Sequence, residues 1–87
     1  VRAHVTNEAH ANSTTIEVQA VDRIGLLHDL FLVINQAGLD TVHARINTEK
    51  GAAVDTLYVT LPGGGQATDP GQLDHLQREL EKTINQR

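Results

Sequence analysis

Between Thr14 and Val21 the chain alternates, with Ile16, Val18 and Ala20 on one face and Thr15, Glu17 and Gln19 on the other. That period of two marks a half-buried strand. After it the period lengthens: Leu26, Leu27, Leu30, Phe31, Ile34 and Ala37 recur at helical spacing. They predict a helix from about Gly25 to Ala37, stopped by Gly38 as a C′ residue. Alternation returns from Leu39 to Thr48, placing Val42, Ala44 and Ile46 together, and again from Ala53 to Leu61. Glu49-Lys50-Gly51 is the turn between these two strands, and so short a link makes them antiparallel. Ala3 to Thr6 reads as a short strand, and the polar segment Asn7 to Ser13 as a turn. Pro62 to Thr68 is expected to be a flexible loop. A second helix starts at Asp69-Pro70-Gly71-Gln72, with Asp as N-cap, Pro at N1 and Gln at N3 of a capping-box variant. Leu73, Leu76, Leu80 and Ile84 form its apolar stripe.

The order is strand, strand, helix, strand, strand, helix. Two helices with one stripe each cover one face of a four-stranded antiparallel sheet, an α+β sandwich. The N-terminal strand is expected at the sheet edge, as hairpin partner of strand 14–21.

Length adds a constraint. A chain of 87 residues is one small domain, burying about 60–65% of its unfolded surface. With no Cys, Met or Trp, it has neither disulfides nor a thiolate metal site to reinforce it. Extra burial is expected from a second copy or an adjoining domain. The absent initiator Met points to a segment of a longer polypeptide. The formal net charge of -4 is dispersed and the chain has one Tyr and one Phe, which argues against a nucleic-acid partner. No apolar run is long enough for a bilayer, so the expected location is cytoplasmic.

The joint between the strand at 14–21 and the first helix carries the candidate chemistry. Asp22 reads as an N-cap, and Gly25 allows close backbone approach. Unpaired N–H groups at a helix start suit a carboxylate, which fits a small-molecule sensor better than a catalyst. The competing reading is ordinary capping. His28, in the first helical turn, reads either as an exposed helix residue or as part of a ligand pocket. The other histidines (4, 10, 43 and 75) form no metal-ligand spacing. His75 is expected in solvent, and His43 on the open side of the sheet. Ser13, the only serine, lacks a nucleophile elbow. Pro62 to Thr68 lacks the Gly-Lys-Ser/Thr ending of a phosphate loop. Asp55 shares a face with Leu57 and Val59 and is expected to accept backbone hydrogen bonds at the sheet margin. On the open face Val21, Val54 and Tyr58 lie among Glu17, Gln19, Arg45 and Thr56, a mixture that fits a protein contact.

The run Ile16-Glu17-Val18-Gln19-Ala20-Val21-Asp22-Arg23-Ile24-Gly25-Leu26-Leu27-His28-Asp29-Leu30 resembles the start of an ACT domain. Gln36-Ala37-Gly38-Leu39-Asp40 and Val54-Asp55-Thr56-Leu57-Tyr58-Val59-Thr60 resemble its continuation. Asn7-Glu8-Ala9, Thr68-Asp69-Pro70 and the Leu73 to Leu80 pattern bring the likeness closest to the C-terminal ACT repeats of bacterial PII uridylyltransferase/uridylyl-removing enzymes. Two positions depart from it: Ile24 stands where members typically have Pro, and Leu61-Pro62 with three glycines replaces a polar segment.

The resemblance implies a ferredoxin-like fold in ββαββα order, the N-terminal strand replacing the usual last strand of the ACT pattern. It implies a regulatory, glutamine-sensing segment of an enzyme whose catalytic domains lie elsewhere, with no cofactor and no catalysis of its own. Ligand-binding residues would be Asp22, Arg23, Ile24, Gly25, Leu26, Leu27 and His28. Backbone N–H groups of Ile24 to Leu27 would receive the ligand carboxylate or side-chain amide, and Asp22 its ammonium or amide nitrogen. A second ACT unit, as homodimer or tandem repeat, would complete the pocket. The alternatives are a pairing module of the same fold without ligand, an ACT domain of another amino-acid-metabolism enzyme, and a ferredoxin-like module binding metal or RNA. The last lacks the basic surface or clustered ligands it needs.

Overall fold

The computed structural model describes residues 2–8 and 11–85. Five strands and two helices follow in the order β1 (Arg2–Thr6), β2 (Thr14–Val21), α1 (Leu26–Gln36), β3 (Asp40–Arg45), β4 (Thr48–Glu49), β5 (Ala52–Thr60) and α2 (Pro70–Ile84). All pairings are antiparallel, in the sheet order β1-β2-β5-β3, with β4 also on β5. The N-terminal strand takes the edge beside β2, where hairpin pairing predicts it. An antiparallel sheet with two helices in this arrangement is consistent with a ferredoxin-like fold. Part of the predicted turn between β1 and β2, including His10, lies outside the described residues.

The core forms where the two periods meet. Ile16, Val18, Leu57 and Val59 from the central strands pack with Leu30 and Ile34 of α1 and with Leu76 and Leu80 of α2, all buried. α1 ends as predicted, and its bonding explains why. Gly38 has φ 82°, its N–H donates to the Asn35 carbonyl, and the Leu39 N–H donates to that of Ile34. This is a Schellman motif closed by apolar contact between buried Ile34 and Leu39.

Three local expectations are corrected. The continuous strand from Leu39 to Thr48 is broken: register shifts between Thr41 and His43, and pairing lapses between Arg45 and Thr48. The bulge takes Val42 out of the alternation and Ile46 falls in the unpaired gap, and they are 58% and 52% exposed. An edge strand with one partner tolerates the extra residue, because no second ladder is disrupted. Asp55 fills the break. Its buried side chain accepts the Asn47 N–H at 3.1 Å through Oδ1, the backbone-accepting role expected of it.

The Gly-rich segment after β5 is a tied-down turn. Gly63, Gly64 and Gly65 all have φ above 90°, a conformation costly for any residue with a Cβ. The turn is closed by Leu61 N–H to the Gly65 carbonyl and Gly64 N–H to that of Leu61. Beyond it the peptide groups of Ala67 are clamped. The Ala67 N–H donates to Thr14 Oγ1 at 3.0 Å, Thr14 Oγ1 donates to Asn7 Oδ1, and Asn7 Nδ2 donates to the Ala67 carbonyl. Asp69 caps α2, accepting from the Gly71 N–H with Pro70 at N1. Gln72 does not close a capping box: its Nε2 donates across to the Ala37 carbonyl at 3.0 Å, joining the end of α1 to the start of α2.

Candidate functional site

The segment linking β2 to α1 starts with one more sheet bond. The Asp22 N–H donates to the Gly51 carbonyl at 3.0 Å, extending the Val21–Ala52 pairing. Asp22 is therefore held against the turn before β5 and is not the N-cap of α1. The N-cap is Gly25, with φ 83° and ψ -3°, and no side chain caps the helix. Those angles belong to the third position of a type II turn. The Leu26 N–H closes that turn on the Arg23 carbonyl at 3.2 Å. The turn inserts three residues between Asp22 and the helix, so the Asp22 carboxylate cannot serve the first helical amides.

The donors at the helix start divide into two groups. The N–H groups of Leu26 and Asp29 are spent, on the carbonyls of Arg23 and Gly25. Those of Arg23, Ile24, Gly25, Leu27 and His28 have no acceptor among the described residues. Of the four amides expected to receive a ligand, those of Ile24, Gly25 and Leu27 remain available. Ile24 is fully exposed, His28 and Asp22 are exposed, and Leu26 is buried in the core.

Arg23 has a different place from its neighbours. Its Nη2 lies 3.0 Å from Asp29 Oδ2, in the first turn of α1, and donates to the Thr83 carbonyl in the last turn of α2 at 3.3 Å. Both contacts follow the helix dipoles, the carboxylate being at an N-terminal end and the cation at a C-terminal one. A shallow concavity of 370 Å³ adjoins the segment, with Val21, Lys50, Gly51 and Ala52 in its wall. Its lining stops at Val21, and no residue from 22 to 28 contributes to it.

Two larger concavities also lie apart from this segment. One, of 490 Å³, is lined by Arg2, His4, Glu17, Gln19 and Thr56 of the open face, reaching Gln77 and Glu81 of α2. The other, of 530 Å³, lies beside Phe31, Leu39 and Thr41. The register bears out the expected position of His43, opposite Tyr58 with ring centroids 5.7 Å apart. Val21 is 69% exposed, and His75 is in solvent. On exposed α2 positions Asp74 hydrogen-bonds Arg78 and, by that bond and its charge, raises the guanidinium pKa further above its ordinary value. Among the described residues no three His, Cys, Asp or Glu side chains are grouped to hold a metal, and no helix is long and apolar enough to cross a membrane.

Sheet order and helix placement define a small α+β domain with an antiparallel sheet and two helices. No family model and no solved structure matches the chain. Over 79 residues it is 39% identical to the bifunctional uridylyltransferase/uridylyl-removing enzyme of Gluconobacter oxydans (strain 621H), a stretch covering 91% of this chain and 8% of that protein. It is 38% identical over 74 residues to the enzyme of the same name from Phenylobacterium zucineum (strain HLK1), covering 85% of the chain and 8% of the relative. The chain is thus homologous, over a short segment, to the uridylyltransferase/uridylyl-removing enzyme family, and spans 8% of the length of these relatives.

Proposed function

We propose that the chain is an ACT-type regulatory domain of a bifunctional uridylyltransferase/uridylyl-removing enzyme, and that it senses glutamine. The observation that carries this reading is the homology, which takes in 91% of the chain at 39% identity. The sheet order supports it, because β1 stands beside β2 at the edge that the last strand of an ACT domain would fill. The ligand would sit against the segment from Asp22 to His28, its carboxylate or side-chain amide on the N–H groups of Ile24, Gly25 and Leu27. An anion there gains from the helix dipole as well as from the amides. Asp22 would accept from the ammonium or amide nitrogen. Arg23 and Leu26 frame the site, one as a tie to α2 and the other as an anchor in the core.

A second ACT unit would supply the wall facing this segment, whose residues line none of the four concavities seen among the described residues. The complete enzyme would attach UMP to the PII signalling protein and remove it, and ligand binding would bias those activities by favouring one of two states. A second reading, a pairing domain without ligand, is favoured by the loss of the Leu26 amide to the Arg23 carbonyl. Calorimetric titration with glutamine decides between them. The sensor reading expects saturable heat that Asp22→Ala reduces; no heat from a sample shown by sedimentation to be dimeric favours the second.

A further inference from the structure

We infer that Arg23 is a positioning residue that couples the segment before α1 to the C-terminal turn of α2, so that both open and close together. Its role does not require contact with a ligand. Three observations carry this. One nitrogen, Nη2, serves both an α1 carboxylate, Asp29 Oδ2 at 3.0 Å, and an α2 carbonyl, that of Thr83 at 3.3 Å. Nη1 of the same group makes a longer contact, 3.5 Å, with the carbonyl of Ile24 inside the turn. The Arg23 carbonyl closes that turn by accepting the Leu26 N–H.

One residue therefore fixes the turn from within and ties it to two helices. The Thr83 carbonyl, in the last turn of α2, accepts from the guanidinium, whose planar fork leaves a second nitrogen for Ile24. Loss of the Arg23 side chain frees an α2 carbonyl and an α1 carboxylate together, while the Leu26 N–H keeps its bond to the Arg23 backbone carbonyl. Motion at the turn is thereby transmitted to the end of α2, some sixty positions later in the chain.

Where the turn also receives glutamine, which rests on the reading above, occupancy orders the last turn of α2. Hydrogen exchange on the 87-residue protein tests the coupling with and without that ligand. Without ligand, Arg23→Gln is expected to speed exchange about fivefold in two separate places, the bonded amides of Leu26 and Asp29 and segment 83–85, while β5 keeps its protection. Arg23→Lys keeps the charge without the fork and restores part of the protection in both. Arg78→Gln, which removes an exposed pair within α2 alone, leaves Leu26 and Asp29 unchanged. Faster exchange at Leu26 and Asp29 with no change at 83–85 would overturn the inference, as would uniform acceleration through β5. With glutamine, protection of 83–85 in the wild type and its loss in Arg23→Gln extend the coupling to the ligand. Absence of glutamine binding defeats the sensor reading and leaves the ligand-free comparison intact as the test of Arg23.

Discussion

Gln77 Oε1 accepts the backbone N–H of Val5 at 3.3 Å, so a side chain of α2 occupies a donor on the free edge of β1. At the opposite edge a bulge at Val42 and the break after Arg45 interrupt β3. Both edges are blunted by different devices, and neither offers a long row of free donors and acceptors to another strand. Replacing Gln77 by Leu keeps the bulk and removes the acceptor. Self-association is expected to rise, seen as a larger weight-average mass in sedimentation, with a stability loss of about 1 kcal/mol. An unchanged mass would show that the helix body, without the hydrogen bond, protects the edge.

The turn before α1 gives opposite predictions at adjacent positions. Ile24 precedes Gly25 in a type II turn, the position that favours proline, and its amide has no acceptor among the described residues. Ile24→Pro is expected to raise stability by about 0.4–1 kcal/mol through a less disordered unfolded chain. Gly25→Ala is expected to lower it by about 1–2 kcal/mol. A Cβ at Gly25 meets nothing within 4 Å, so that loss is conformational and not steric. Urea denaturation midpoints measure both.

Asp55 is a buried carboxylate with a backbone task. Removing its acceptor in Asp55→Ala strands the Asn47 N–H at the break between β3 and β4, a loss of about 1–3 kcal/mol. Asp55→Asn retains an oxygen acceptor and is expected to lose less. Equal losses for the two, read from denaturant midpoints, would show that charge and not hydrogen-bond acceptance matters there.

Thr14 is the hinge of the clamp on Ala67. Thr14→Val keeps the shape and deletes both the acceptor for the buried Ala67 N–H and the donor to Asn7. The expected loss is about 1–3 kcal/mol, with faster amide exchange through residues 61–68. A stability change without that local exchange would contradict the clamp.

Much of this architecture is legible in the sequence, because burial imposes its period directly. Ile16, Val18 and Ala20, the α1 stripe through Leu30 and Ile34, and the α2 stripe through Leu76 and Leu80 are buried as their spacing demands. The ends of helices marked by glycine or by Asp-Pro are also legible, since φ limits are local. Val42, Ala44 and Ile46 mislead, because their alternation is intact in the sequence while an edge strand is free to bulge. Asp22 misleads for a related reason. Its amide continues the sheet to Gly51, and a turn that depends on Gly25 moves the helix start onward. Gln72 shows a third limit: whether an amide side chain folds back or reaches Ala37 depends on where α1 ends in space. The joint between β2 and α1 is legible as a segment, from the change of period after Val21. Which of its amides stay unpaired, and the tie from Arg23 to Thr83, belong to tertiary structure.

The most direct test follows the backbone amides of the 87-residue protein by ¹⁵N–¹H shift during titration with L-glutamine to millimolar concentrations. The account predicts saturable shifts largest at Ile24, Gly25 and Leu27, with Leu26 moving little because its N–H is already bonded to Arg23. Shifts confined to the open-face trough around His4 and Glu17, or no shifts at all, would contradict it.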